Sequence, residues 1–141
     1  MTHAQLVAYL EEQAKEAGAA SFWHGKQAQA NINYDAPFPQ AHLFLMPSRI
    51  KGGTITTQVA MCFYGKDEHE NDPNLNNEVS LAIQNAMDLL TQHFHVLLAS
   101  EEEQDAELVD GFMDRVPVLR KGAGIGTGYL VNFTLSSLVV C

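Results

Sequence analysis

The sequence predicts an α+β domain: a four-stranded antiparallel or mixed sheet packed by a long helix, in the order helix, strand, strand, helix, strand, strand. Three observations carry that expectation. Residues 2–17 and 73–100 repeat apolar side chains every three or four positions, as amphipathic helices do. Two pairs of short apolar segments alternate with period two, and a glycine-rich stretch separates the members of each pair. A chain of 141 residues, 46% of them apolar, has the size and composition of a single domain, residues 1–141, with a real core.

The first helix is expected over 2–17. Thr2 followed by Gln5 fits a capping box, and Leu6, Val7, Leu10, Ala14 and Ala17 form one stripe. Glu11 and Lys15 stand one turn apart, and Gly18 supplies the stop. Residues 19–35 then lose periodicity and read as an irregular arm or a poor edge strand.

A first hairpin follows. Residues 42–50 are interrupted by Pro47, which indicates an edge strand or a bulge because proline cannot donate to a ladder. Lys51-Gly52-Gly53-Thr54 makes the turn, and Ile55, Thr57, Val59, Met61 and Phe63 alternate with Thr56, Gln58, Ala60, Cys62 and Tyr64. Both faces carry bulk, so one packs on helices and the other is free for a partner.

The second helix opens at Asp72-Pro73 and is expected to end near Ser100. Leu75, Val79, Ile83, Met87, Leu90, Phe94 and Leu97 form its apolar stripe, with Ser80, Gln84, Asp88, Thr91 and His95 expected to turn away. Residues 105–114 read as an acidic connection. The last pair of strands lies at 116–120 and 129–136, with Tyr129, Val131, Phe133 and Leu135 on one face.

The glycines at 122, 124, 126 and 128 raise the question of a nucleotide site. A dinucleotide fingerprint leaves a strand and opens a helix, whereas a strand follows here. A hairpin loop is the better reading. The loop Lys66-Asp-Glu-His-Glu-Asn-Asp holds four carboxylates and a histidine but lacks the spacing of a calcium loop, so a solvated loop is expected. His93 and His95 are two apart and point apart on a helix. Cys62 and Cys141 have no metal-ligand spacing, Cys62 has no evident base beside it, and no nucleophile elbow is present. No catalytic, cofactor-binding or metal site is therefore expected.

The net charge of −9, from 8 Lys plus Arg against 17 Asp plus Glu, disfavours tight binding to nucleic acid. No apolar run approaches the length of a membrane span, and the acidic amphipathic N-terminal stretch is unlike a signal peptide, so an intracellular protein without a membrane partner is expected. Phe22 and Trp23 adjoin in a polar region, where adjacent aromatics serve as interface anchors or fold back over a sheet. Arg49 with Lys51, and Arg120 with Lys121, mark two basic hairpin tips on an acidic chain.

The layout of an N-terminal helix, a hairpin headed by Phe38-Pro-Gln-Ala-His-Leu-Phe-Leu, an acidic loop, a long helix from Asn77-Glu-Val-Ser-Leu-Ala-Ile-Gln to Phe94 and Leu97, and a closing pair of strands resembles the tail terminator or tail-completion proteins of long-tailed bacteriophages. It covers nearly the whole chain. The resemblance implies a non-enzymatic structural protein of the virion, made in the host cytoplasm and placed in the tail and neck region. It implies a homo-oligomeric ring, commonly a hexamer, that caps the tail tube and meets the tube protein and the neck or connector proteins. Phe22, Trp23, Arg49, Lys51, Arg120 and Lys121 are the candidate interface residues on this reading. Glu101, Glu102 and Glu103 are candidates to line a lumen through which DNA passes with weak contact. A head-tail connector or tube subunit, and a small metal-dependent binding protein or enzyme using residues 67–72, remain alternative readings.

The charge balance generates a first expectation. The assembled protein should show no tight, saturable binding of labelled duplex DNA at about 0.15 M salt; tight binding there would overturn the weakly contacted lumen.

Overall fold

The chain is described here by a computed structural model, which covers residues 1–24, 36–67, 73–100, 106–120 and 126–139, with backbone alone at 45–46, 73–77 and 119–120. Helix α1 spans His3–Ala17. Its capping box is complete: the Thr2 hydroxyl accepts from the Gln5 amide at 3.2 Å, and the Gln5 side chain accepts from the Thr2 amide at 2.7 Å. Gly18, at φ 130°, ends the helix, and Leu6, Leu10, Ala14 and Ala17 are buried. Lys15 pairs with Glu11 at 3.0 Å on the exposed side.

Strand β1, Ser21–His24, pairs in parallel with β2, Gln40–Lys51. β2 turns at Gly52 and Gly53, both at positive φ, into antiparallel β3, Thr54–Lys66. The register slips by one residue between Leu45 and Ser48, so Pro47 sits in a bulge, where its missing N–H costs no ladder bond. Helix α2, Pro73–Leu98, follows. β4, Ala106–Leu108, a single 3₁₀ turn at Val109–Gly111, β5, Asp114–Arg120, and β6, Gly126–Leu138, complete the described elements.

The sheet runs β1-β2-β3-β6-β4, with β5 also on β6, and every pair but the first is antiparallel. β3 pairs with β6 along its whole length, so β4 and β5 share the other side of β6, end to end. The class is α+β. The expected four strands are present as β2, β3, β5 and β6; the correction is that the described sheet has six strands. β1 lies where an arm or poor edge strand was expected, and β4 lies in the stretch read as an acidic connection. Both are too short for a period-two pattern to show, and their pairing comes from the neighbouring strand rather than from their own composition.

Both helices pack on one face of this sheet. Leu43, Val59, Met61, Phe63, Val131, Phe133 and Leu135 point to them and are buried. Phe94 of α2 stands between the two central strands, its ring 5.0 Å from that of Phe63 and 5.8 Å from that of Phe133. Close approach needs two glycines. A Cβ on Gly65 would lie 2.6 Å from the Ile83 side chain, and one on Gly128 would lie 1.7 Å from the Phe63 carbonyl oxygen. Gly126 and Gly128 thus belong to β6 rather than to a hairpin loop, a second correction.

The orientation of α2 is a third. Ser80 donates to Asp67 Oδ2 at 2.6 Å, Gln84 donates to the Gly128 carbonyl at 2.7 Å, and Thr91 is fully buried. Asp88 meets Arg115 of β5, and His95 lies 2.9 Å from the Gly111 carbonyl oxygen. The polar stripe expected to turn away faces β5 and β6 instead, while Leu81, Leu89 and Val96 are outermost at 70, 60 and 63% exposure.

These contacts set two expected losses. Gly128→Ala should lower the unfolding free energy by about 2 kcal/mol or more, because its clash is with backbone that cannot rotate away. Phe94→Ala should cost about 3–5 kcal/mol in urea unfolding.

Candidate functional site

The face of the sheet away from the helices is the candidate site, because paired strand residues share a face and the pairing therefore places each side chain. At one end it is buried and aromatic. His42 lies opposite Cys62 and beside Tyr64, with ring centroids 5.4 Å apart in an edge-on arrangement, and His42 Nε2 lies 3.0 Å from Gln40 Oε1. Gln40, His42, Cys62 and Tyr64 are all buried, and Phe38, Phe44, Val118 and Leu130 pack on them. Burial, with the Cys62 thiol hydrogen-bonded beside it, pushes the Tyr64 phenol well above its ordinary range and keeps it neutral.

Trp23 stands level with His42 on this face, while Phe22 turns to the helices and packs on the main core, its ring centroid 6.4 Å from that of His24. The two adjacent aromatics are therefore split between faces, and both are half-buried. Among the described residues the buried Trp23 indole N–H has no hydrogen-bond partner.

Toward the β2–β3 turn the face becomes exposed and polar. The pairing sets Arg49, Thr56, Ser136 and Glu107 in one row across β2, β3, β6 and β4, and Lys51, Thr54 and Leu138 in the next row but one. Arg49, Lys51 and Glu107 are exposed, and none of the three forms an ion pair with another described residue. Glu107 also lines, with Glu12, Tyr9 and Leu138, an open depression of about 900 Å³ between α1 and the end of β6.

The remaining candidates divide. Asp67, the first residue of the acidic loop, is fully buried, and its Oδ2 accepts from both the Ser80 and Thr127 hydroxyls at 2.6 Å, which ties the end of β3 to α2 and β6. Residues 68–72, Glu101, Glu102, Glu103 and Lys121 lie outside the described residues, as does the side chain of Arg120. No group of three metal-ligating side chains occurs among the described residues. His93 is exposed and His95 half-buried.

Sequence reasoning missed the His42–Cys62 pairing, since residues twenty apart meet only through the register. It also missed Arg115, whose guanidinium bonds Asp88, donates to Thr91 Oγ1 at 3.0 Å and lies 4.8 Å from the centroid of the Tyr129 ring. Arg115 and Gln92 hold the Asp88 carboxyl below the usual range. The alternation of β6, which puts Tyr129 on the helix face, was the one available signal for that contact. No protein-family model matches this chain, and no curated protein matches it either.

A pH dependence follows from Tyr64. Its folded-state value is raised, so its contribution is complete below about pH 10, where the unfolded phenol begins to ionise, and is lost as the pH climbs further. Urea midpoints measured on either side of pH 10 should fall for the native chain and fall less for Tyr64→Phe; equal slopes would show that Tyr64 is not held neutral.

Proposed function

We propose that this chain is a structural assembly protein, a tail terminator or tail-completion subunit that forms a homo-oligomeric ring, caps a tail tube and meets the neck of a phage-like machine. The observation that carries the protein-binding part is the outer side of α2. From Leu81 to Ser100 its exposed positions hold no Asp, Glu, Lys or Arg, and they leave Leu81, Leu89 and Val96 in solvent. A surface helix normally turns charge outward, and an uncharged face that leaves three large apolar side chains in solvent among Asn85, Gln92 and His93 fits a surface that meets another protein. The ring and the tube come from the resemblance of the layout to tail terminators.

The open polar sheet face and the basic β2–β3 tip supply further places for neighbouring subunits, with Trp23 as an aromatic anchor on that face. Phe22 serves the core. Asp67 is engaged in holding the fold, which removes one carboxylate from the ion-binding alternative. The connector and tube-subunit readings share the same surfaces and differ in what the assembly does.

Purified protein added to growing tail tubes should bind one end and arrest elongation, seen as a shortened length distribution in electron micrographs. Long stacks of the protein itself would identify a tube subunit instead, and binding on the portal side without effect on tubes a connector. Neutralising Arg49 and Lys51 should weaken the ring or tube contacts with no change in the melting temperature of the monomer.

A further inference from the structure

The outer side of α2 carries its side chains in an order that reads the same from either end. Leu81, Asn85, Leu89, Gln92 and Val96 are exposed, and at about 100° per residue they fall within an arc of about 80°. Along that arc the groups run apolar, amide, apolar, amide, apolar. At a rise of about 1.5 Å per residue, Leu81 lies about 12 Å before Leu89 and Val96 about 10.5 Å after it, while Asn85 lies about 6 Å before and Gln92 about 4.5 Å after. Chemistry and spacing are therefore close to symmetric about Leu89. Ala82 and Ala86, also exposed, flank the arc with small side chains that let another helix come near.

A helix that matches this stripe group for group presents the same order, and the chain itself supplies one. Laid antiparallel with Leu89 of each copy at a two-fold axis, Leu81 comes level with Val96 of the other copy, and Asn85 with Gln92 and His93 of the other copy. Apolar side chains then meet apolar ones, and the amides find hydrogen-bond partners. The antiparallel direction also sets the positive N-terminal end of each helix dipole beside the negative C-terminal end of the other. Charge selects the same occupant. Two copies that each carry a net −9 repel one another over most approaches, but from Leu81 to Ser100 the exposed positions of α2 hold no carboxylate. A cationic partner would be drawn to carboxylates and gains nothing on this stripe.

We infer that the occupant of this stripe is a second copy of this chain, paired antiparallel through α2 with Leu89 against Leu89. The inference rests on the reading of this face as a protein-binding surface and goes beyond the ring. The contact is isologous and stops at two copies, so it belongs to the free chain rather than to a head-to-tail ring. A strip about 22 Å long and one helix wide falls short of a standard interface of roughly 800 Å² per partner, so the pair is reversible and its population rises with concentration.

The test is sedimentation of the full chain over a range of concentrations, native and with Leu89→Glu or Leu89→Lys, with circular dichroism to show that each is folded. Leu89 is 60% exposed, so neither change enters the core. The native chain should pass from monomer to dimer as its concentration rises. Each variant alone should dimerise at least about tenfold more weakly, because like charges then meet on the axis, and the two mixed should recover association, because Glu then meets Lys. Direction is read from single cysteines in a Cys141→Ser chain: with a short thiol cross-linker, Leu81→Cys should join Val96→Cys and not itself. Leu81→Cys joined to itself overturns the antiparallel pairing. A native chain that stays monomeric at every concentration, or association equal in all forms, overturns the self-pairing and leaves this face to another protein, as the assembly reading has it. Dimers that form as stated, in a protein that fails to arrest tube growth, would keep the pairing and sink the ring-cap reading.

Discussion

Most of this structure depends on how closely α2 can approach β3 and β6. Gly65 removes the side chain that would hold α2 off β3, Gly128 removes the one that would strike the β3 backbone, and Phe94 then fills the space between Phe63 and Phe133. Close packing of this kind gains dispersion and hydrophobic energy only while the gap stays small, so the glycines and the aromatics act as one unit. Once α2 is seated, Asp67 at the end of β3 receives hydroxyls from both α2 and β6, and the start of the acidic loop is tied down.

The seating of α2 also explains its three different sides. One side meets α1 and the core, through residues such as Met87 and Leu90. The next meets β5 and β6 with polar groups: Gln84 reaches a strand carbonyl, and Asp88 with Thr91 takes the guanidinium of Arg115. Buried polar groups are tolerable there because most find a partner, although the buried Gln84 Oε1 has none among the described residues. From Leu81 onward the third side is left to solvent without charge, an arrangement that a helix serving only its own core has no reason to keep.

The sheet shows a similar division. Its helix face closes the core, its far face is buried and aromatic around His42 and Tyr64, and the same face turns polar toward the β2–β3 turn. Short or interrupted edge strands limit indiscriminate strand addition. A bulge on β2 and an excursion between β4 and β5 serve that purpose here.

The helices and the long strands were legible in the sequence because their signals are local. A capping box, a glycine at positive φ and an apolar repeat act over a few residues, so α1, the β2–β3 turn and the core face of β6 followed from residue order alone. The class α+β followed with them. The strand pairing was decided only in three dimensions, since a strand as short as β1 or β4 has too few residues to show a period. The side of α2 that faces inward was decided there as well, because the sheet could satisfy Ser80, Gln84, Asp88 and Thr91, and helical periodicity alone cannot tell a polar stripe bonded to a neighbour from one bonded to water. For the same reason the row from Arg49 to Glu107 is invisible in the linear chain: its members are contributed by four strands, and only the register of the folded sheet brings them into line.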